Sequence, residues 1–228
     1  MSVAEHLAET RLRVDRAARA CGREPAQIRL VAVSKGQPIE AVREAHAAGQ
    51  RAFGENYAQE LAAKAEALAD LSGIEWHFIG HLQTNKAKIV ARHAHAVHTV
   101  DSAALARELG KRAAQGPVRA APMAVLIEVN VGGEPQKAGA APGEIAEVMA
   151  AVQAEPALAL RGLMTVPPAG DLERARRVFA TLASLRNLHG GAGLLPELSM
   201  GMTADLEAAV ACGATIVRVG TGVFGARR

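Results

Sequence analysis

The first β-branched run of the chain ends at a lysine. Side chains alternate faces along IRLVAVS (28–34), so Lys35 falls on the same face as Val31 and Val33. A lysine at the end of such a run is half buried, and burial disfavours its ammonium form. That is how a lysine becomes a nucleophile toward a carbonyl and forms a Schiff base. Taken alone, a lysine in this place more often turns outward into solvent. Two loops near the C-terminus shift the balance. SMGMT (199–203) and RVGTG (218–222) each combine small residues, backbone N–H groups and a hydroxyl, a composition that binds phosphate, and a helix is expected directly after the first. Arg218 shares parity with Gly220 and points toward the same mouth. A carbonyl-reactive lysine across from a phosphate site fits two chemistries. One is pyridoxal 5′-phosphate bound through Lys35. The other is a sugar-phosphate aldolase that uses Lys35 on its substrate.

Short apolar runs alternating with amphipathic stretches must position these groups. Residues 3–20 predict a charged helix, and strands are expected at 28–34, 51–54, 74–80, 96–100, 123–131, 158–166, 195–200 and 215–220. Pro38 suits the first position of a helix closed by Gly49, Pro142 starts another, and helices are expected over 171–188 and 203–212. Regular alternation implies a parallel sheet with helical crossovers, and eight units in this length predict a compact (β/α)8 TIM-type barrel. A doubly wound sheet is the alternative. Chemistry in a barrel sits at the C-terminal ends of the strands, and nearly every strand here delivers a functional group there. No linker divides the chain, so residues 1–228 are expected to form one domain. The helix at 3–20 is not needed to close the barrel; it is expected to cover the bottom or flank, or to mediate pairing.

Half of the 228 residues are hydrophobic and 3% are aromatic, so the core must come from Ala, Val, Leu and Ile. Lys and Arg number 26 against 23 Asp and Glu, a net charge of +3 with no basic block, which argues against nucleic acid as a partner. Cys21 and Cys212 are too few for a disulfide framework, and the first residues carry charges where a signal peptide needs an apolar run. A soluble cytoplasmic protein without membrane spans is expected. Gly220, Gly222 and Gly225 match G-x-G-x-x-G, but the chain supplies neither the helix nor the acidic residue that a dinucleotide site requires. His93, His95 and His98 lack a nearby cysteine or carboxylate in ligand spacing, and parity separates His95 from His98, so no metal is expected. Lys86, Lys88 and Arg92 form a small basic face, expected to be solvated. Glu128 shares parity with Asn130 and enters the barrel, where Lys35 or Arg218 could partner it.

Several motifs run in order across about residues 28–227: VAVSK (31–35), FGENY, WHFIGHLQTNK (76–86), HTVDS (98–102), RGLMTVPP (161–168), LSMGMTADLEAAV (198–210) and GATIVRVGTGVFGAR (213–227). Together they resemble the pyridoxal-phosphate homeostasis proteins. The resemblance implies a barrel similar to the N-terminal domain of alanine racemase, with pyridoxal phosphate held by Lys35 as a Schiff base. It implies that Ser199, Gly201, Gly220 and Thr221 bind phosphate with Gly222 adjoining. It places Arg218 near the cofactor, at ring nitrogen or phosphate, and has Asn56, His81 and Met164 line the ring. It further implies cofactor buffering and delivery to pyridoxal-phosphate-dependent acceptor enzymes rather than turnover. Gly36-Gln37 after the lysine and Gly132-Gly133 after the fifth strand depart from the usual pattern and touch only loop behaviour. A racemase, the main alternative, needs a base on each face of the substrate. Barrel racemases take the second from a tyrosine in a separate domain for which this chain has no residues. Tyr57, its only tyrosine, is expected to pack locally, and His81 is the other candidate. The absence of a long apolar surface stripe suggests a monomer.

Overall fold

Eight apolar runs become strands mainly over their central residues, where both faces are covered. The computed structural model describes residues 1–134 and 137–225. In chain order the elements are α1 (Val3–Ala20), β1 (Arg29–Val33), α2 (Ile39–Ala47), β2 (Ala52–Glu55), α3 (Ala58–Ala67), β3 (Glu75–Phe78), α4 (Ala87–His93), β4 (Ala96–Val100) and α5 (Ala103–Ala114). Then come β5 (Met123–Glu128), α6 (Ile145–Gln153), β6 (Leu158–Met164), α7 (Leu172–Leu188), α8 (Gly191–Leu194), β7 (Glu197–Ser199), α9 (Leu206–Ala211), β8 (Ile216–Val219) and α10 (Thr221–Phe224). The strands pair in sequence order into a closed barrel. β8 returns to β1 in parallel, with Arg29 opposite Ile216 and Ala32 opposite Val219. That pairing excludes the doubly wound alternative, which would leave two free edges.

Strand parity divides the core into two layers. Phe53, Trp76, Phe78, Val97, Ile127 and Val219 face the helices in one continuous cluster. Val31, Ala52, Leu126, Met164 and Ile216 pack together inside the barrel, where branched aliphatic side chains usually dominate. Here the interior is also polar, because His77, His98, Ser199 and Arg218 are all buried. The three-residue β7 fits against β6 because position 162 is glycine. A Cβ there would lie 1.8 Å from the Glu197 carbonyl oxygen.

The N-terminal helix covers the flank of the barrel, one of the places expected for it. The helix after β8 is a single turn, and α1 packs against α9, α10 and α2 in the place a full eighth helix would occupy. It therefore completes the helical ring. A capping box starts it: the Glu5 amide donates to Ser2 Oγ at 3.2 Å, and the Ser2 amide donates to Glu5 Oε2 at 2.8 Å. Leu7, Val14 and Ala18 form its buried face. Thr10 Oγ1 donates to the Gly222 carbonyl at 2.7 Å, tying the helix to the loop after β8.

Other boundaries move for local reasons. α9 begins at Leu206 rather than 203, because the Met202 amide donates to Asp205 Oδ1 at 2.6 Å and turns 202–205 into a loop. Pro38 sits just before α2 in extended conformation, not inside it. Gly49 ends that helix at φ +85°, a left-handed conformation that favours glycine.

Candidate functional site

The C-terminal ends of β1, β2 and β8 converge on a cavity of about 410 Å³. Lys35, Asn56, Arg218, Gly220 and Thr221 line it, with Val33, Ile79 and Val166 as apolar wall. Lys35 is half-buried, as its parity with Val31 and Val33 requires. The backbone on either side of it is fixed from below. Ser34 Oγ donates to Glu55 Oε1 at 2.7 Å, and the Gly36 amide donates to Glu60 Oε1 at 2.6 Å. Lys64 Nζ, from α3, donates to the Ser34 carbonyl at 2.5 Å, to Glu55 Oε1 at 2.8 Å and to Glu60 Oε1 at 2.7 Å. Glu55 and Lys64 are both buried. Burial pushes the Glu55 carboxyl up, against the pull of Lys64.

Arg218 enters the cavity from the barrel interior and is 4% exposed. Its Nη1 donates to Ser199 Oγ at 2.7 Å and its Nη2 to the Thr165 carbonyl at 3.0 Å. Burial pulls its pKa down to about 10, with Glu128 and Asp205 opposing, so it stays charged at neutrality. Glu128 forms no ion pair with Arg218 or Lys35; it lines an adjoining recess of about 240 Å³ that shares Val166 with the cavity. Burial, reinforced by Asp101 and opposed by Arg218, pushes the Glu128 carboxyl up to about 7.

The loops after β7 and β8 meet at the far side of the cavity. Thr221 Oγ1 donates to Thr203 Oγ1 at 3.1 Å, and the Gly222 amide donates to the same oxygen at 3.4 Å. Gly201, at φ +94°, turns the chain out of β7, and a Cβ there would lie 2.5 Å from that of Ala209.

Five of the ten residues expected at the site line the cavity, namely Lys35, Asn56, Arg218, Gly220 and Thr221. Ser199 lies beneath it, its hydroxyl engaged by Arg218 and His98. Met164 belongs to the interior cluster below, while Gly201 and Gly222 shape the backbone of the two loops. His81 stands apart: its side chain is 59% exposed and lies 3.7 Å from Asp101 in another recess. Tyr57, expected to pack locally, is instead 64% exposed at the start of α3. The three histidines of the 93–98 segment point apart. His95 Nδ1 accepts from the Trp76 amide at 3.0 Å, His93 lies 3.9 Å from Glu66, and His98 points into the barrel. Residues that sequence reasoning did not single out as a unit are Glu55, Glu60 and Lys64 under Lys35, and His77 with His98 under Arg218. Strand parity could have found the histidines, since 77 shares a face with 79, which lines the cavity.

A closed parallel barrel with its polar cavity at the C-terminal rim places the protein among the (β/α)8 barrels, and within them the alanine racemase N-terminal domain family matches residues 6–228. An alanine racemase from Corynebacterium glutamicum shares that fold at 20% identity and TM-score 0.66, with 98% of this chain covering 62% of that one. Within the class, the chain belongs to the pyridoxal phosphate homeostasis protein family. It is 48% identical to the family's protein from Pseudomonas aeruginosa, over 99% of this chain and 96% of that one. It is 43% identical to the one from Escherichia coli, over 99% and 97%. PipY of Synechococcus elongatus, solved with pyridoxal phosphate bound, superposes at TM-score 0.81 and 36% identity, over 98% and 100% of the two chains.

Proposed function

We propose that this chain binds pyridoxal phosphate at the barrel mouth, holds it as a Schiff base on Lys35, and serves to store and deliver it within the cytoplasm. One observation carries the reading: a half-buried lysine faces a glycine- and hydroxyl-rich rim across a 410 Å³ cavity. The residues fit the cofactor. Asn56 Oδ1 is buried without a hydrogen-bond partner among the described residues, an acceptor left for a ligand. Gly220 keeps open a space where a Cβ would meet nothing nearer than the Val33 carbonyl at 3.5 Å. Gly220 and Thr221, with Gly201, Gly222 and the Ser199 segment shaping their loops, would hold the phosphate. Asn56 would bond the ring, and Arg218 would add positive charge from below. When bound, the cofactor supplies an aldehyde and an electron-withdrawing ring. Lys35 Nζ would supply the neutral amine that condenses with that aldehyde, its two hydrogens leaving with the carbonyl oxygen as water.

Storage is favoured over racemisation because Lys35 and Arg218 are the only titratable groups among the described residues lining the cavity. Racemisation needs a second base, and both Tyr57 and His81 lie outside. The whole chain, 1–228, acts as one cofactor-binding unit, monomeric, handing its cargo to acceptor enzymes through the open mouth. The test is the visible absorbance of the purified protein after addition of pyridoxal phosphate, beside Lys35→Ala. A yellow band is expected, trapped on Lys35 by borohydride and absent from the variant. No band in the wild type would overturn the assignment and leave the sugar-phosphate aldolase, or simple binding of a phosphate ligand, as the reading. Racemisation of an amino acid that disappears in Lys35→Ala would overturn storage as the sole role.

A further inference from the structure

Arg218 is held by a file of polar side chains that crosses the barrel interior. Ser199 Oγ lies 2.8 Å from His98 Nδ1, and His98 Nε2 lies 2.8 Å from His77 Nδ1. The rings meet edge to face, with centroids 5.1 Å apart. His77 Nε2 then faces Glu75 Oε2 at 3.7 Å, and Glu75 pairs with Arg29 at 2.7 Å at the opposite mouth.

One arrangement of the protons leaves the fewest groups of this file unpaired. Arginine only donates, so Ser199 Oγ accepts from Arg218. If His98 also donated to Ser199, the serine proton would have no acceptor among the described residues, at a cost that native structures avoid. Ser199 therefore donates to His98 Nδ1. His98 must carry its proton on Nε2 and donate to His77 Nδ1, which puts the His77 proton on Nε2, buried without a hydrogen-bond partner among the described residues and 3.7 Å from Glu75 Oε2. Burial lowers the pKa of both imidazoles, His98 further through His77 and Arg218, so neutral rings agree with the geometry.

We propose that His98, backed by His77, is a positioning residue for Arg218. The two imidazoles form a hydrogen-bond chain of fixed direction that holds Ser199 as an acceptor and so aims the guanidinium at the cofactor cavity. The binding consequence rests on the pyridoxal phosphate reading above; the proton arrangement does not. The chain also commits the Ser199 hydroxyl to the interior, leaving the phosphate to the loops above it.

Two measurements decide the proposal. The first is 15N NMR of histidine-labelled protein without added ligand. Both rings are expected neutral, with Nδ1 unprotonated and the proton on Nε2. A protonated Nδ1 on His98, or an imidazolium at neutral pH, would overturn the chain. The second compares His98→Asn with His98→Gln in pyridoxal phosphate titrations read by absorbance. Asparagine sets its amide oxygen near the Nδ1 position and keeps an acceptor for Ser199; glutamine reaches the Nε2 position and does not. The Gln variant is expected to bind roughly tenfold more weakly, and the Asn variant to lose several-fold less. Equal losses would mean that the ring only fills space, and would sink the positioning role. The two readings fail separately. No wild-type band removes the cofactor and leaves the tautomers to decide the chain; a band with the wrong tautomers removes only the chain.

Discussion

The lysine that sets the site is not the one that holds it in place. Lys64 lies in AQELAAKAEA, a stretch that reads as an ordinary solvated helix, yet it is 5% exposed and bonds to three oxygens around Lys35. Two carboxylates depend on it, Glu55 and Glu60. Removing one partner from a buried pair leaves an uncompensated charge, a larger cost than the pair's net worth. Lys64→Met is therefore expected to lose roughly 3–5 kcal/mol of stability in urea unfolding. Adding Glu55→Gln should recover part of that loss, because the orphaned charge is gone. A Lys64→Met protein as stable as wild type would mean the network contributes nothing.

Among the elements, α1 has the most to reveal. Its sequence shows a helix and an apolar face, and nothing in those residues says what the face covers. The single-turn α10 leaves an opening between α9 and α2, and α1 fills it. Apolar burial and surface pairing can be separated here. Leu7 is fully buried, so Leu7→Ala is expected to cost roughly 2–5 kcal/mol through lost transfer energy and a cavity. Arg13 reaches Glu207 at 2.8 Å, but both side chains are substantially exposed, and Arg13→Ala should cost under about 1 kcal/mol. Urea midpoints of the two variants check the order. The reverse order would mean that charge, not packing, seats the helix.

At the scale of the whole molecule, buried charge inside the barrel shapes the response to pH. Glu128 titrates at about 7 in the fold and near 4.3 in an unfolded chain. Between those values the folded state binds more protons, so this residue's contribution to stability falls as pH rises from about 4.3 through 7 and levels off above. Below about 4.3 the penalty is absent. Glu128→Gln should remove that slope and be more stable than wild type at pH 8, by up to roughly 3 kcal/mol. Glu75 works in the opposite sense. His77 chiefly, then Arg29, hold its carboxyl at about 2 against the cost of burial. Its contribution is present above about 4.3 and is lost as pH falls toward 2. Thermal unfolding of wild type and Glu128→Gln across pH 4–8 is the measurement; parallel curves would show that Glu128 is ionised at no cost.

The alternation of strand and helix and the parity of Lys35, Gly220 and Arg218 were legible in the residues, because both follow from local periodicity: two residues per repeat in a strand and 3.6 in a helix. Those periods set the alternation and put a lysine, an arginine and glycine loops at one end of the strands; closure into a barrel rather than a doubly wound sheet was decided by the pairing of β8 with β1. Boundaries at 203–205 and the place of α1 were not legible. One depends on Asp205 turning back on Met202, the other on the shortness of a helix more than 200 residues away. Only the tertiary structure could bring Lys64 under Lys35 or join His77, His98 and Ser199 across β3, β4 and β7. Contacts between strands depend on barrel closure and register, and no period within a single strand encodes which side chain of another will face it.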